Sequence, residues 1–235
     1  MTHPQLPLAL SLRNSARFDS YFPGANREVV SGLELAAEGR GESLIYIAGA
    51  AGTGKTHLLQ AACHHAAQTD HSITYLPMRE LLDLSPEILE GLEHMDLVCL
   101  DDLDVIAGRQ DWESGVFDLF NRVRDAGNTL LVAATRRPQQ AGFALPDLQS
   151  RLGWGVTYVL KPLDEDTVRA ALSYYAQRRG LELPEDSVRF LLRRFPRDLV
   201  TLYDLLDRLD RAALAAQRRL TIPFIKSVLA APPPA

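Results

Sequence analysis

Through about residue 160 the chain alternates short, continuous apolar runs with stretches of helical period, and beyond that point only helical period remains. The runs are Leu44–Ala48, Ile73–Leu76, Leu97–Leu100 leading into Asp101-Asp102, Thr129–Thr135 and Val156–Leu160. Runs that do not alternate apolar with polar positions are what strands buried on both faces look like, the condition of a parallel sheet covered by helices. Between them the spacing predicts helices at 26–38, 57–68, 78–84, 112–126 and a short one at 145–152. Strand and helix in alternation predict an α/β domain with a mainly parallel sheet. From Asp164 onward the predicted elements are helices at 164–179, 184–195, 197–217 and 222–229, with Pro184 and Pro223 at or near first turns, where proline is tolerated. The pattern divides the chain into an arm at 1–16, an α/β domain at 17–162, a small helical domain at 163–229 and an Ala/Pro tail at 230–235 whose composition predicts disorder.

Composition changes this picture little. The apolar fraction of 46% and charged fraction of 23% are ordinary for a water-soluble chain. The net charge of −5 argues against a protein held on nucleic acid by bulk electrostatics, so any DNA contact is expected to be indirect or weak. The charge is uneven, however, with 12 Lys+Arg against 20 Asp+Glu in residues 1–160 and 13 against 10 in residues 161–235. The mildly basic last third reads as a solvated helical face, or else as a surface for DNA or an acidic partner. Cys63 and Cys99, without metal-ligand spacing, read as reduced core residues of a cytoplasmic protein. Apolar runs fall well short of the roughly 18 residues of a membrane span, and the N-terminus lacks the pattern of a signal peptide.

The candidate chemistry is concentrated after the first strand. Gly49-Ala50-Ala51-Gly52-Thr53-Gly54-Lys55-Thr56 fits the phosphate-loop pattern G-x-x-x-x-G-K-[ST] at every fixed position, between a strand and a helix. Its glycines let backbone N–H groups converge on a polyphosphate, and the helix behind adds its positive end. Lys55 supplies a point charge to the phosphates and Thr56 a hydroxyl to Mg2+. About 45 residues later, Asp101 and Asp102 close an apolar run: Asp101 would hold the Mg2+ through water, and Asp102 stands where a base orients the attacking water. Thr135, at the end of the fourth run, offers a hydroxyl either to the γ-phosphate or to the turn Arg136-Arg137-Pro138.

Elsewhere the readings are more open. Leucines alternate beside a glutamine and a proline in Gln5-Leu6-Pro7-Leu8-Ala9-Leu10, which suits an extended peptide in a groove of another protein or an arm folded back on its own domain. The aromatics of Phe18–Gly24 line either an adenine pocket or the edge of the core. His57, His64 and His65 on one helix read as a solvated face rather than as metal ligands.

Taken together, the loop at 49–56, the run at 97–102, the segment Leu145–Trp154 and the helical final third resemble the AAA+ module of the bacterial replication initiator DnaA, and within that group the small Hda-type regulators. The second likeness rests on a chain that ends at the helical lid, on Gln5–Leu10, which is similar to that group's sliding-clamp peptide with Gln5, Leu6, Leu8 and Leu10 as anchors, and on Arg151-Leu152-Gly153-Trp154-Gly155, which matches its arginine-finger region. The resemblance implies a regulator that holds ADP or ATP with Mg2+, docks on the DNA polymerase sliding clamp and presents Arg151 to ATP bound by a neighbouring DnaA, preventing re-initiation. It also implies that Arg197 reaches back to the nucleotide from the lid, and that copies of the chain can associate through Arg151 and the loop of the next copy. Asp102 stands where most AAA+ ATPases have glutamate, and Thr135 where several relatives have an acidic or amide residue, so weak intrinsic hydrolysis is expected. The alternative is an autonomous AAA+ ATPase that acts like a helicase loader.

Overall fold

The computed structural model describes residues 12–13, 15–195 and 199–230. Two compact units follow one another, the main division falling between Lys161 and Pro162. In the first, five strands, β1 (Leu44–Ala48), β2 (Ile73–Pro77), β3 (Leu97–Asp101), β4 (Thr129–Ala134) and β5 (Val156–Val159), form one sheet in the order β2-β3-β4-β1-β5. All neighbouring pairs are parallel. The three inner strands are buried at every position, as their continuous apolar runs require, whereas the edge strands β2 and β5 are only partly covered.

The pleat sends alternate residues to two cores. Tyr46, Val98, Leu100, Val132 and Ala134 face a cluster built with α4 (Gln110–Asp125) and α5 (Pro146–Leu152). Ile45, Ile47, Cys99, Leu131 and Ala133 face the other cluster, built with α1 (Arg27–Ala37) and α2 (Lys55–Ala67). The longest of these helices, α4, shows why the pattern was readable: Trp112, Val116, Leu119, Phe120 and Val123 recur at three- and four-residue steps and are all buried. Asp111 and Glu113 in its first turn and Arg122 and Arg124 in its last complement the helix dipole. The short α3 (Met78–Leu81) follows β2. Cys63 and Cys99 are free thiols in the core, their Sγ atoms 3.4 Å apart, as expected of reduced core residues.

The second unit is all helical: α6 (Glu165–Arg178), α7 (Glu185–Arg194), α8 (Leu199–Ala216) and α9 (Ile222–Ala230). Asp164 caps α6 by accepting the Thr167 N–H at 2.7 Å. Val168, Leu172, Leu191, Leu202, Leu206 and Ile225 form its core. Tyr175 stacks on Tyr203 at 4.0 Å and donates to Asp207, which also pairs with Arg179 at 2.7 Å. An α/β sheet domain followed by a small helical domain is the predicted architecture. No helix among the described residues is long and apolar enough to cross a membrane.

Two expectations need correction. The third run predicts a strand through Asp102, but β3 stops at Asp101 because Asp102 turns into the left-handed region, with φ 54°. His57, His64 and His65 are not a solvated face. Their Nε2 atoms lie 3.0 Å from the Arg17 carbonyl, the Arg13 carbonyl and Glu38 Oε1. The bonds of His57 and His64, together with the Arg13 N–H donating to Gln60 at 3.1 Å, lay Arg13 and residues 15–20 along α2.

Candidate nucleotide site

The site is built where β1 ends. The chain leaves the sheet at Gly49, whose N–H donates to the Ala134 carbonyl at 3.1 Å, and reaches α2 through Gly52 (φ 77°) and Gly54 (φ 92°). A side chain at either glycine would be strained, which is why this turn into α2 requires glycine at both positions. Lys55 is 7% exposed. Its Nζ donates to the carbonyls of Gly49 (2.8 Å) and Ala50 (3.1 Å), so its ammonium is locked to the loop with one donor left. Among the described residues no carboxylate pairs with it. A buried cation held by loop carbonyls, with no carboxylate beside it among the described residues, suits a phosphate-binding loop.

Asp101, at the tip of β3, is 3% exposed. It accepts from the Tyr75 hydroxyl at 2.8 Å and from the Asp102 N–H at 3.0 Å. Burial pushes its carboxyl above the ordinary carboxylate range, against the pull of hydrogen bonds from Thr56 and Tyr75. Thr56 and Asp101 are therefore adjacent, as the sequence reading requires, and both offer the hard oxygens that Mg2+ prefers. The described residues hold no cluster of three or more His, Cys, Asp or Glu able to bind a metal alone.

The two remaining positions differ from their simplest reading. Asp102 has its carboxylate 3.3 Å from Arg79 Nε on α3. Thr135, one residue beyond β4, donates both its N–H and its hydroxyl to Asp104. Of its two predicted roles, phosphate contact and turn cap, neither accounts for this bond. Asp104 went unrecognised in the sequence, where only its place three residues after Asp101 hinted at it.

Arg151 lies elsewhere. It ends α5, which feeds the start of β5, and Val156 of that strand pairs with Ile45 near the start of β1. The phosphate loop leaves the opposite end of β1. At about 3.3 Å per residue, the strand itself separates the two by about 10 Å or more. Arg151 Cζ stands 3.9 Å from the Trp154 ring centroid and 6.0 Å from that of Phe117. No carboxylate pairs with it among the described residues. Beside Trp154, residues including Glu42, Phe120, Arg124 and Asn128 line a shallow cavity of about 140 Å³.

A second missed residue supports this corner. Glu113 on α4 is fully buried. Its carboxylate accepts the N–H groups of Gly108 (2.7 Å), Ala144 (3.0 Å) and Leu145 (2.6 Å), tying the loop that enters α5 to the sheet-covering helix. The readable signal was an acid on the apolar face of a predicted helix, three residues before Val116 and seven before Phe120. Gln5, Leu6, Leu8, Leu10, Arg197 and the predicted tail beyond Ala230 lie outside the described residues.

Two family models match the chain: the bacterial DnaA ATPase domain over residues 12–159 and the Hda lid domain over residues 164–229. Among solved structures, domain III of the replication initiation protein DnaA of Thermotoga maritima is 22% identical, with a TM-score of 0.74 over 93% of this chain and 97% of that one. The AMPPCP-bound DnaA of Aquifex aeolicus is 24% identical, with a TM-score of 0.69 over 85% of this chain and 66% of that one. A replication initiator DnaA bound to AMPPCP and single-stranded DNA is 26% identical, with a TM-score of 0.66 over 83% of this chain and 66% of that one. The chain thus spans about two thirds of the length of the last two.

Proposed function

Given that this chain belongs to the bacterial DnaA ATPase-domain family and is followed through residue 229 by an Hda-type lid, we propose that it is a nucleotide-binding regulator of replication initiation. In this reading the loop at 49–56 holds ADP or ATP, with Mg2+ between Thr56, Asp101 and the phosphates. The Gln5–Leu10 peptide docks on the DNA polymerase sliding clamp, and Arg197 completes the nucleotide site from the lid. Arg151 enters the ATP site of a neighbouring DnaA molecule and stimulates hydrolysis there, which prevents re-initiation. Such a protein works in the cytoplasm, where the chromosome is. The same two surfaces also allow copies of this chain to associate.

The observation that carries the reading is the position and state of Arg151. It is at the far end of β1 from its own phosphate loop and, among the described residues, unpaired with any carboxylate, which suits an arginine that serves a partner's phosphate. A planar guanidinium against a γ-phosphate stabilises the charge that spreads in phosphoryl transfer, an effect of about 10³ to 10⁵ in rate in other nucleotidases. Weak hydrolysis in the chain's own site is supported by Asp102, engaged with Arg79, and by Thr135, whose hydroxyl is bonded to Asp104.

The test is the rate of ATP hydrolysis by purified DnaA with this protein added, with and without DNA-loaded clamp, beside this protein's own rate. Acceleration is expected only when clamp and protein are both present, and Arg151→Ala is expected to abolish it. Undiminished stimulation by that variant would refute the role of Arg151. Strong hydrolysis by this protein alone would make it an ATPase in its own right.

A further inference from the structure

Trp154 is unusual for its surroundings: a tryptophan next to a sheet edge, 59% exposed, in a chain whose other tryptophan is fully buried. Its ring is nevertheless held. Phe120 meets it edge-on at 6.3 Å and Arg124 lies 5.8 Å from its centroid, while the Trp154 backbone N–H, donating to the Arg151 carbonyl at 3.0 Å, fixes the turn between the two residues. Gly155 brings the backbone so close to β1 that a Cβ there would stand 2.2 Å from the Leu44 carbonyl oxygen. The two arginines beside the ring differ in one respect. Arg124 is paired with Asp125 at 2.8 Å, whereas Arg151, 3.9 Å from the Trp154 centroid and 6.0 Å from that of Phe117, has no carboxylate partner among the described residues.

We propose that Trp154 is a positioning residue for Arg151: its indole face holds the guanidinium in an extended, partly desolvated pose while leaving the charge unneutralised and the in-plane N–H donors free for phosphate. The proposal rests on the reading that Arg151 acts on a partner's nucleotide. A carboxylate could fix the same side chain, but it would take up two of the five donors and cancel the charge that phosphoryl transfer needs. An aromatic face binds the cation through the ring quadrupole, perpendicular to the plane in which guanidinium hydrogen bonds form. It restricts the side chain without competing for its ligand. The exposure of Trp154 follows from this role, because a ring buried behind other side chains could not support an arginine that reaches outward.

Arrangement and consequence can be measured separately. In the free, full-length protein, stacking at this distance places the Arg151 side-chain protons in the ring current of the indole. Their NMR resonances are expected upfield of ordinary arginine positions, to return there in Trp154→Ala and Trp154→Leu, and to stay partly shifted in Trp154→Phe. In the DnaA hydrolysis assay with DNA-loaded clamp, Trp154→Ala is expected to lower the stimulated rate at saturating protein about 3- to 10-fold, the size of a cation–π contact at a partly exposed site. The half-saturating concentration should stay within about twofold, and Trp154→Phe should keep more than half of the rate. A raised half-saturating concentration with an unchanged maximal rate would make Trp154 a docking contact and overturn the proposal. Unshifted Arg151 resonances, with Arg151→Ala still abolishing stimulation, would overturn the positioning role alone. Shifted resonances, with Arg151→Ala fully active, would overturn the arginine's role and this proposal with it.

Discussion

Glu113→Gln isolates an interaction that holds the α5 corner. The native carboxylate is fully buried, and among the described residues it has no basic partner. Its charge is met by three backbone N–H groups, two on Oε1 and one on Oε2. Glutamine keeps the shape but replaces one oxygen with a donor. The amide oxygen can retain the Gly108 and Ala144 bonds, weakened because the acceptor is no longer charged. The amide nitrogen then faces the Leu145 N–H, donor against donor, and that bond is lost. A hydrogen bond to a charged group contributes about 1.5–3 kcal/mol, and burying a neutral amide is easier than burying a carboxylate, so the net destabilisation is expected at about 2 kcal/mol. Glu113→Ala orphans all three N–H groups at about 1–3 kcal/mol each, which approaches the whole stability of a typical domain and makes it the poorer probe.

The assay is urea unfolding followed by tryptophan emission. Both tryptophans of the chain, Trp112 and Trp154, are in the first unit, so the signal reports that unit alone. A loss of about 2 kcal/mol appears as a lower midpoint with an unchanged slope. Because Ala144 and Leu145 lead into α5, the same variant should also stimulate DnaA less well than wild type at equal folded concentration. A midpoint indistinguishable from wild type would refute the argument that these three bonds carry the loop.

Two further changes probe the sheet and the nucleotide site. Asp101→Asn should raise the melting temperature of ligand-free protein at pH 7 while weakening Mg2+-dependent ADP binding. The Asp101 carboxyl is held above its unfolded value by burial, so its contribution to stability is complete below the ordinary carboxylate range and is lost as pH rises through the raised value. The advantage of asparagine should therefore shrink as pH falls towards that range, and a lower melting temperature for the variant at pH 7 would contradict this sign. Gly155→Ala should cost about 1–3 kcal/mol, the usual penalty of forcing atoms into a packed site, because the added Cβ meets the Leu44 carbonyl oxygen and side chain where β1 and β5 begin to pair. An unchanged thermal melt would show that the backbone there shifts without cost.

How much of this was legible in the chain follows from how far apart the interacting groups are in sequence. The inner strands were readable because burial on both faces leaves an unbroken apolar run, and the phosphate loop because its glycines, Lys55 and Thr56 act within eight residues of one another. Asp101 was readable because the end of a buried parallel strand is where a ligand-facing acid belongs. Glu113 was missed despite its place on an apolar helix face, since an acid in the first turn already has a local explanation in the helix dipole, while its partners Ala144 and Leu145 are 31 and 32 residues away. The bond between Asp104 and Thr135 also spans 31 residues, and the histidines of α2 are bonded to carbonyls 40 and 51 residues earlier, which helical period cannot register. Arg151 falls between these cases. Its type and motif were visible in the chain, and the resemblance implied that it serves a neighbouring DnaA; what periodicity could not show is that α5 enters β5 at one end of β1 while the loop leaves β1 at the other. That placement is what the proposed role in a neighbour's site rests on, and the exposed Trp154 beside Arg151 is the side chain proposed to hold the guanidinium for that role.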